Sequence, residues 1–154
     1  MKARAAVIII ENDKIALIER YRLSRHYFVF PGGKIKTDET PVEAAAREAE
    51  EELGLKVIIG SMVAEVWYQG TPQYYFLAEC VDGQFGQGSG AEMNSPPDSE
   101  KGSYLPVWVR IDTLLDQPLL PKSMAEFIWE SYHEGWPGTP LLATDSFPEE
   151  TTEH

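Results

Sequence analysis

Residues 31–55 contain both ends of a helix and an unusual load of acid, and no other stretch constrains the chain as tightly. The segment opens Pro31-Gly32-Gly33-Lys34-Ile35-Lys36-Thr37-Asp38-Glu39-Thr40-Pro41-Val42-Glu43 and closes Ala44-Ala45-Ala46-Arg47-Glu48-Ala49-Glu50-Glu51-Glu52-Leu53-Gly54-Leu55. Thr40 suits an N-cap, Pro41 suits the first helical position, and Glu43 completes a T-x-x-E capping box. Gly54 supplies the left-handed residue that ends a last turn. The spacing therefore predicts a helix over 41–53. At about 100° per residue, Val42, Ala45, Ala46, Ala49 and Leu53 form one apolar stripe. The alanines in it would let the helix lie close against a sheet. Glu48, Glu51 and Glu52 share a flank bordering the stripe, and Glu43, Arg47 and Glu50 fall on the outer side.

Such a helix end is locally unfavourable. Like charges at these spacings cost roughly 0.2–0.5 kcal/mol each, and acids in a last turn oppose the helix dipole by a similar amount. A divalent cation among the three carboxylates would reverse the sign, and hard oxygen ligands with room for water and phosphate are what Mg²⁺ requires. A solvated acidic face on an acidic protein is the competing reading of the same residues.

The segment resembles the Nudix box, G-x5-E-x7-R-E-U-x-E-E-x-G-U, where U is a bulky aliphatic residue. Gly33, Glu39, Arg47, Glu48, Glu51, Glu52, Gly54 and Leu55 fall on its positions without a gap. Ala49 departs from it, being small where the pattern has a bulky residue. The resemblance implies an α/β fold, a Nudix-type α/β/α sandwich with a mixed sheet between helices, the box helix on one face and a C-terminal helix on the other. It implies metal-dependent hydrolysis of a nucleoside diphosphate linked to another moiety X, such as a nucleoside triphosphate, ADP-ribose or a sugar nucleotide. It also implies Mg²⁺ (or Mn²⁺) on Glu48, Glu51 and Glu52 with the backbone carbonyl of Gly32. Gly33, Glu39 and Gly54 would be structural. Glu51 or Glu100 would activate water, and Arg47 would serve the site by pairing with Glu39 and holding the loop against the helix. Two other activities occur on related folds: nucleotide sensing without turnover, and isomerisation of allylic diphosphates.

The rest of the chain narrows these readings. At 154 residues it is long enough for one substantial core. A net charge of −12 argues against broad binding to nucleic acid or an anionic membrane. Cys80 is the single cysteine, which excludes an internal disulfide and a thiolate metal cluster and reads as a core thiol. The apolar run Ala5 to Ile10 is shorter than a signal-peptide core of roughly 7–15 residues, and no stretch reaches membrane-span length, so a cytoplasmic location is expected. Gly32-Gly33-Lys34 lacks the spacing and the following Ser or Thr of a P-loop.

Ala5 to Ile10 and Lys14 to Tyr21 read as strands joined by a turn at Asn12-Asp13, and His26 to Phe30 as a third. Between them Arg20, Arg22, Arg25 and His26 make the only concentrated basic cluster. Guanidinium forks match phosphate oxygens, which makes Arg20 and Arg25 the substrate-binding candidates. Strands over 56–66, 73–81 and 104–111 follow. Trp67, Tyr68, Tyr74 and Tyr75 surround a turn at 70–72 and read as rim or core aromatics, one of which could sandwich a base. In the family, a proline at about the distance of Pro72 goes with ADP-ribose and a nearby tyrosine with dinucleoside polyphosphates. Both are present, so X stays open. Residues 82–103 read as a long polar loop, and loops of this length are usually functional or disordered. Its acids include Glu92, Asp98 and Glu100, of which Glu100 matches a family glutamate best by distance. Ser123 and Glu126 suggest a capping box for a helix over 123–133. One domain is expected over 1–136, followed by a tail over 137–154 that could form a dimer arm.

Overall fold

A computed structural model describes residues 3–68, 70–88 and 102–145. The chain runs β1 (Arg4–Ile8), β2 (Ile10–Glu11), β3 (Lys14–Arg22), β4 (Arg25–Val29), β5 (Gly32–Lys34), α1 (Pro41–Leu53), β6 (Leu55–Tyr68), β7 (Thr71–Gly83), β8 (Ser103–Arg110), a 3₁₀ stretch (Ile111–Asp116), α2 (Lys122–Glu134) and β9 (Leu141–Thr144). Asn12 and Asp13 both take positive φ, the geometry of a tight two-residue hairpin turn, and Glu11 pairs with Lys14 across it.

The strands form two sheets. One is mixed and five-stranded, in the order β5-β1-β7-β6-β9, with β1 parallel to β7 and β9 parallel to β6. The other is antiparallel around β3, which pairs with β2, β4 and β8. Alternation along the central strands divides the interior in two. Ala5, Val7 and Ile9 of the first strand region join Ala16 and Ile18 of β3 beneath α1, while Ala6 and Ile8 join Ile15 and Leu17 in the cluster that α2 covers. The two helices thus lie against opposite apolar faces, which is the sandwich expected from the box.

The α1 ends form as read. Thr40 accepts from Glu43 N–H, Glu43 returns the bond to Thr40 N–H, and Gly54 caps the end at φ 79°. The buried face, however, comprises Ala44, Ala45, Glu48, Ala49, Glu52 and Leu53, and Val42 is 46% exposed. It is turned from the expected stripe because Glu48 and Glu52 find polar partners inside. Leu53 is fully buried, and its truncation to alanine would cost about 2–5 kcal/mol.

Two expectations at the C-terminal end do not hold. The helix begins one residue early, at Lys122 with Pro121 as N-cap, and the Ser123–Glu126 capping box does not form. Ser123 Oγ is instead buried without a hydrogen-bond partner among the described residues. Residues 137–145, read as the start of a tail, contain strand β9 on the edge of the mixed sheet, with Leu141 and Ala143 packed on the core. Four residues of alternating burial are too short a pattern to stand out in a proline-rich stretch.

Candidate active site

The box places its two glycines by close approach rather than by unusual torsion. β5 lies antiparallel to β1, with Gly32 opposite Ala6 and Gly33 opposite Ala5. A Cβ on Gly32 would stand 2.4 Å from the Ala5 carbonyl oxygen, and one on Gly33 would stand 2.2 Å from Glu48 Oε2. Only glycine lets the strand pass between β1 and the carboxylates of α1. Gly32 N–H then donates to Glu52 Oε1 at 3.0 Å.

Arg47 is the hub of the polar network: it pairs with Glu39, as the resemblance implies, although the helical wheel puts it on the outer side of the helix. Its Nε and Nη2 grip Glu39 in a fork at 2.6 and 3.0 Å, and Nη2 also donates to the Lys34 carbonyl. Nη1 donates to Glu48 at 3.0 Å and Glu51 at 3.2 Å. Glu39 further accepts from Lys36 N–H. The Arg47 fork, then that backbone donor, hold the Glu39 carboxyl well below the usual carboxylate range, at about 2. The same bond to Glu39 raises the already high Arg47 pKa. One guanidinium thereby ties loop, strand and helix together and relieves part of the repulsion among the acids.

Glu48 and Glu52 are 9% and 7% exposed, and the Glu51 side chain is 38% exposed. All three line one cleft of about 810 Å³. As they stand, no three carboxylates among the described residues converge tightly enough to enclose an ion. Arg47 holds Glu48 and Glu51, and Gly32 holds Glu52. The donor chemistry nonetheless fits a hard divalent cation: three carboxylates on one cleft wall, two of them buried, beside the backbone of Gly32.

The cleft is also rich in cations. Arg4, Arg20, Arg22, Lys34 and Lys36 line it with Arg47. Arg20 stands opposite Tyr27 on one neighbouring strand and Tyr104 on the other. Its guanidinium lies 3.7 Å from the Tyr104 ring centroid, and its Nε donates to the Ser103 carbonyl. Arg25, the other predicted phosphate contact, lines a neighbouring cavity, with its guanidinium over Tyr27. His26 Nε2 meets Glu19 at 2.6 Å, and its ring stacks on Tyr21. Of the four aromatics singled out, Tyr68 and the buried Tyr75 reach the cleft. Burial raises the Tyr75 phenol well above its ordinary value, which keeps it neutral. Glu92, Asp98 and Glu100 lie outside the described residues.

Sequence reasoning passed over Arg4, Arg22 and Tyr104. Arg4 opens β1 opposite Gln73 and Lys34, and Tyr104 reaches the cleft through its pairing with Arg20. Strand pairing assembles both, and no local motif marks either. Only Arg22 carried a signal, since it sits in the basic cluster.

Comparison with known proteins bears on the family and the fold. The family model described as NUDIX domain matches residues 1–133. Nudix hydrolase 12, mitochondrial, of Arabidopsis thaliana is 42% identical over 60 residues, 39% of this chain and 30% of that protein. The 8-oxo-(d)GTP phosphatase of Mycolicibacterium smegmatis is 31% identical over 112 residues, 70% of this chain and 30% of that protein. Each match thus spans under a third of the relative's length. Among solved structures, a NUDIX hydrolase from Nitrosomonas europaea superposes with a TM-score of 0.74 at 20% identity, covering 95% of this chain and 79% of that one.

Proposed function

The chain belongs to the Nudix family, and from that premise we propose that it hydrolyses the phosphoric anhydride of a nucleoside diphosphate linked to X, releasing a nucleotide and phosphorylated X. The observation that carries this reading is the cleft itself, whose lining combines the box carboxylates with Arg4, Arg20, Arg22, Lys34 and Lys36. An anionic diphosphate beside those carboxylates calls for added positive charge among them.

Nudix hydrolases generally use divalent metal ions, and here Glu48, Glu52, Glu51 and the Gly32 carbonyl are the groups that would hold Mg²⁺ or Mn²⁺. When bound, the ion supplies neutralisation of phosphate oxygens and acidification of water. The protein residues do the rest. Arg20, Arg22 and Arg4 orient the diphosphate, with Tyr104 fixing the plane of the Arg20 guanidinium. Arg47 keeps the loop on the helix through Glu39. Glu51, the most exposed of the three acids, takes the proton of the attacking water once released from Arg47, and Glu100 is the second candidate for that role.

Release of a nucleoside monophosphate from substrate plus Mg²⁺, screened over nucleoside triphosphates, ADP-ribose, sugar nucleotides and dinucleoside polyphosphates, tests the proposal. Binding of a nucleotide with no turnover under any divalent ion would overturn it in favour of a sensor.

A further inference from the structure

We propose that Gln73 reads the base of the nucleotide and selects one that offers a carbonyl oxygen where adenine and cytosine carry an amino group; this rests on the hydrolase reading above. Gln73 lies on β7 directly opposite Arg4 of β1, and Arg4 in turn stands opposite Lys34 of β5. β7 is therefore two strand spacings from Gly32 and Gly33, roughly 10 Å. Gln73, Arg4 and both glycines line the one cleft with the box carboxylates. A nucleotide whose diphosphate sits beside those carboxylates has its base within reach of β7. The same cleft is lined by Tyr68, Phe30, Leu120 and Pro121, flat or apolar side chains of the kind that hold a planar ring.

The orientation of one amide decides which base is read. A glutamine side chain carries both a donor and an acceptor, and by itself suits either kind of base. Tyr75 removes that freedom. It stands two residues along the same face of β7, and its phenol is buried. Burial raises the phenol well above its ordinary value, with the Arg4 charge opposing and the Asp145 charge adding, so it keeps its proton. That proton is donated to Gln73 Oε1 at 3.1 Å. Turning the amide over would set its NH2 against the phenol oxygen and leave the phenol proton with no acceptor among the described residues. Gln73 Nε2, by contrast, makes no hydrogen bond among the described residues and stays open to solvent. A half-buried side chain on the cleft lining thus has its acceptor engaged and its donor available. The oxygen of a 6-oxopurine or a 4-oxopyrimidine meets that donor as an acceptor. The amino group of adenine or cytosine meets it donor to donor, after both have lost water.

The test uses inosine and adenosine triphosphates, whose purines differ in whether C6 carries oxygen or an amino group, with the two monophosphates as binding probes. Calorimetric titration should show inosine monophosphate binding the wild-type protein about tenfold more tightly than adenosine monophosphate. The ratio of kcat/KM for the triphosphates should fall in the same sense. Gln73→Glu puts an acceptor where the NH2 stood and should invert the preference towards adenosine monophosphate. Tyr75→Phe keeps the ring and its edge contact with Phe30 but lets the amide present either end, which should bring the affinity ratio to within about twofold of unity. A damaged fold lowers both affinities together and does not invert their ratio. Equal wild-type affinities, no binding of either monophosphate, or a ratio unmoved by Gln73→Glu would overturn the assignment. If neither triphosphate is hydrolysed, the hydrolase reading fails, and the titration still decides the role of Gln73.

Discussion

Gly32 and Gly33 are adjacent, yet alanine at each should fail for a different reason. At Gly33 a new Cβ would meet the end of a side chain, with Glu48 Oε2 at 2.2 Å and its carboxyl carbon at 2.6 Å. Ordinary contact begins near 3.4 Å, so the carboxylate must retreat by roughly 1 Å, a misplacement that can cost on the order of 10²-fold in rate. The neighbouring strand need not move. At Gly32 the Cβ would meet backbone, the Ala5 carbonyl oxygen at 2.4 Å and Ala6 Cα at 2.7 Å. Relief there requires β5 and β1 to separate, and overpacking of this kind costs typically about 1–3 kcal/mol.

Turnover and thermal melting, measured together on Gly33→Ala, Gly32→Ala and Gly138→Ala, separate the two effects. Gly138 has nothing within 4 Å of its Cβ position and serves as the control. Gly33→Ala should lose about 10²-fold in kcat/KM with a small loss of Tm. Gly32→Ala should lose Tm by several degrees, as about 1–3 kcal/mol does in a domain of this size. Wild-type turnover and an unchanged Mg²⁺ dependence in Gly33→Ala would refute the claim that Glu48's position against β5 sets the site.

Glu52→Gln should abolish hydrolysis with the fold intact, since the amide keeps size but removes a hard anionic donor; Glu43→Gln, on the exposed capping box, should be nearly neutral, and steady-state kinetics reads both. Millimolar Mg²⁺ or Mn²⁺ should raise Tm in a melting assay without substrate, because the ion binds the folded carboxylates and not the unfolded chain, and Glu48→Gln should shrink the shift. Glu39, whose pKa falls from 4.5 to about 2 on folding, contributes stability that is fully present above the unfolded value and lost as pH drops between the two. The stability gap between wild type and Glu39→Gln, followed by chemical denaturation, should hold near neutral pH and close as pH falls towards 2.

The parts of this molecule legible in the sequence are those whose partners lie within a few residues. Thr40 and Glu43 cap each other three residues apart, Gly54 ends the turn it follows, and Asn12-Asp13 closes a hairpin between adjacent strands. Features missed or read only in part depend on distant chain. The Arg47–Glu39 pair is the one the box resemblance implies, but the helical wheel puts Arg47 on the outer side, and its bond to Lys34 arises only once β5 is laid against β1. Ser123 and Glu126 have capping-box spacing, yet the N-cap is set at Pro121, where 118–120 is zipped onto β4. Strand β9 exists because β6 offers it an edge, which no local pattern announces.

The placement of Arg47 also changes how the acidic helix is understood. Taken by itself, the run from Glu48 to Glu52 opposes both its own charges and the helix dipole. In the folded chain Arg47 already bonds Glu48 and Glu51, while Gly32 N–H bonds Glu52. The resting protein is thus stabilised by its own cation at the place where a divalent ion would act. Nη1 alone reaches Glu48 and Glu51, each through a single carboxylate oxygen, whereas Nε and Nη2 make the fork on Glu39. The arginine could therefore shift away from the carboxylates without releasing the loop. This division follows from guanidinium geometry, since a lysine in its place would have one ammonium for both tasks.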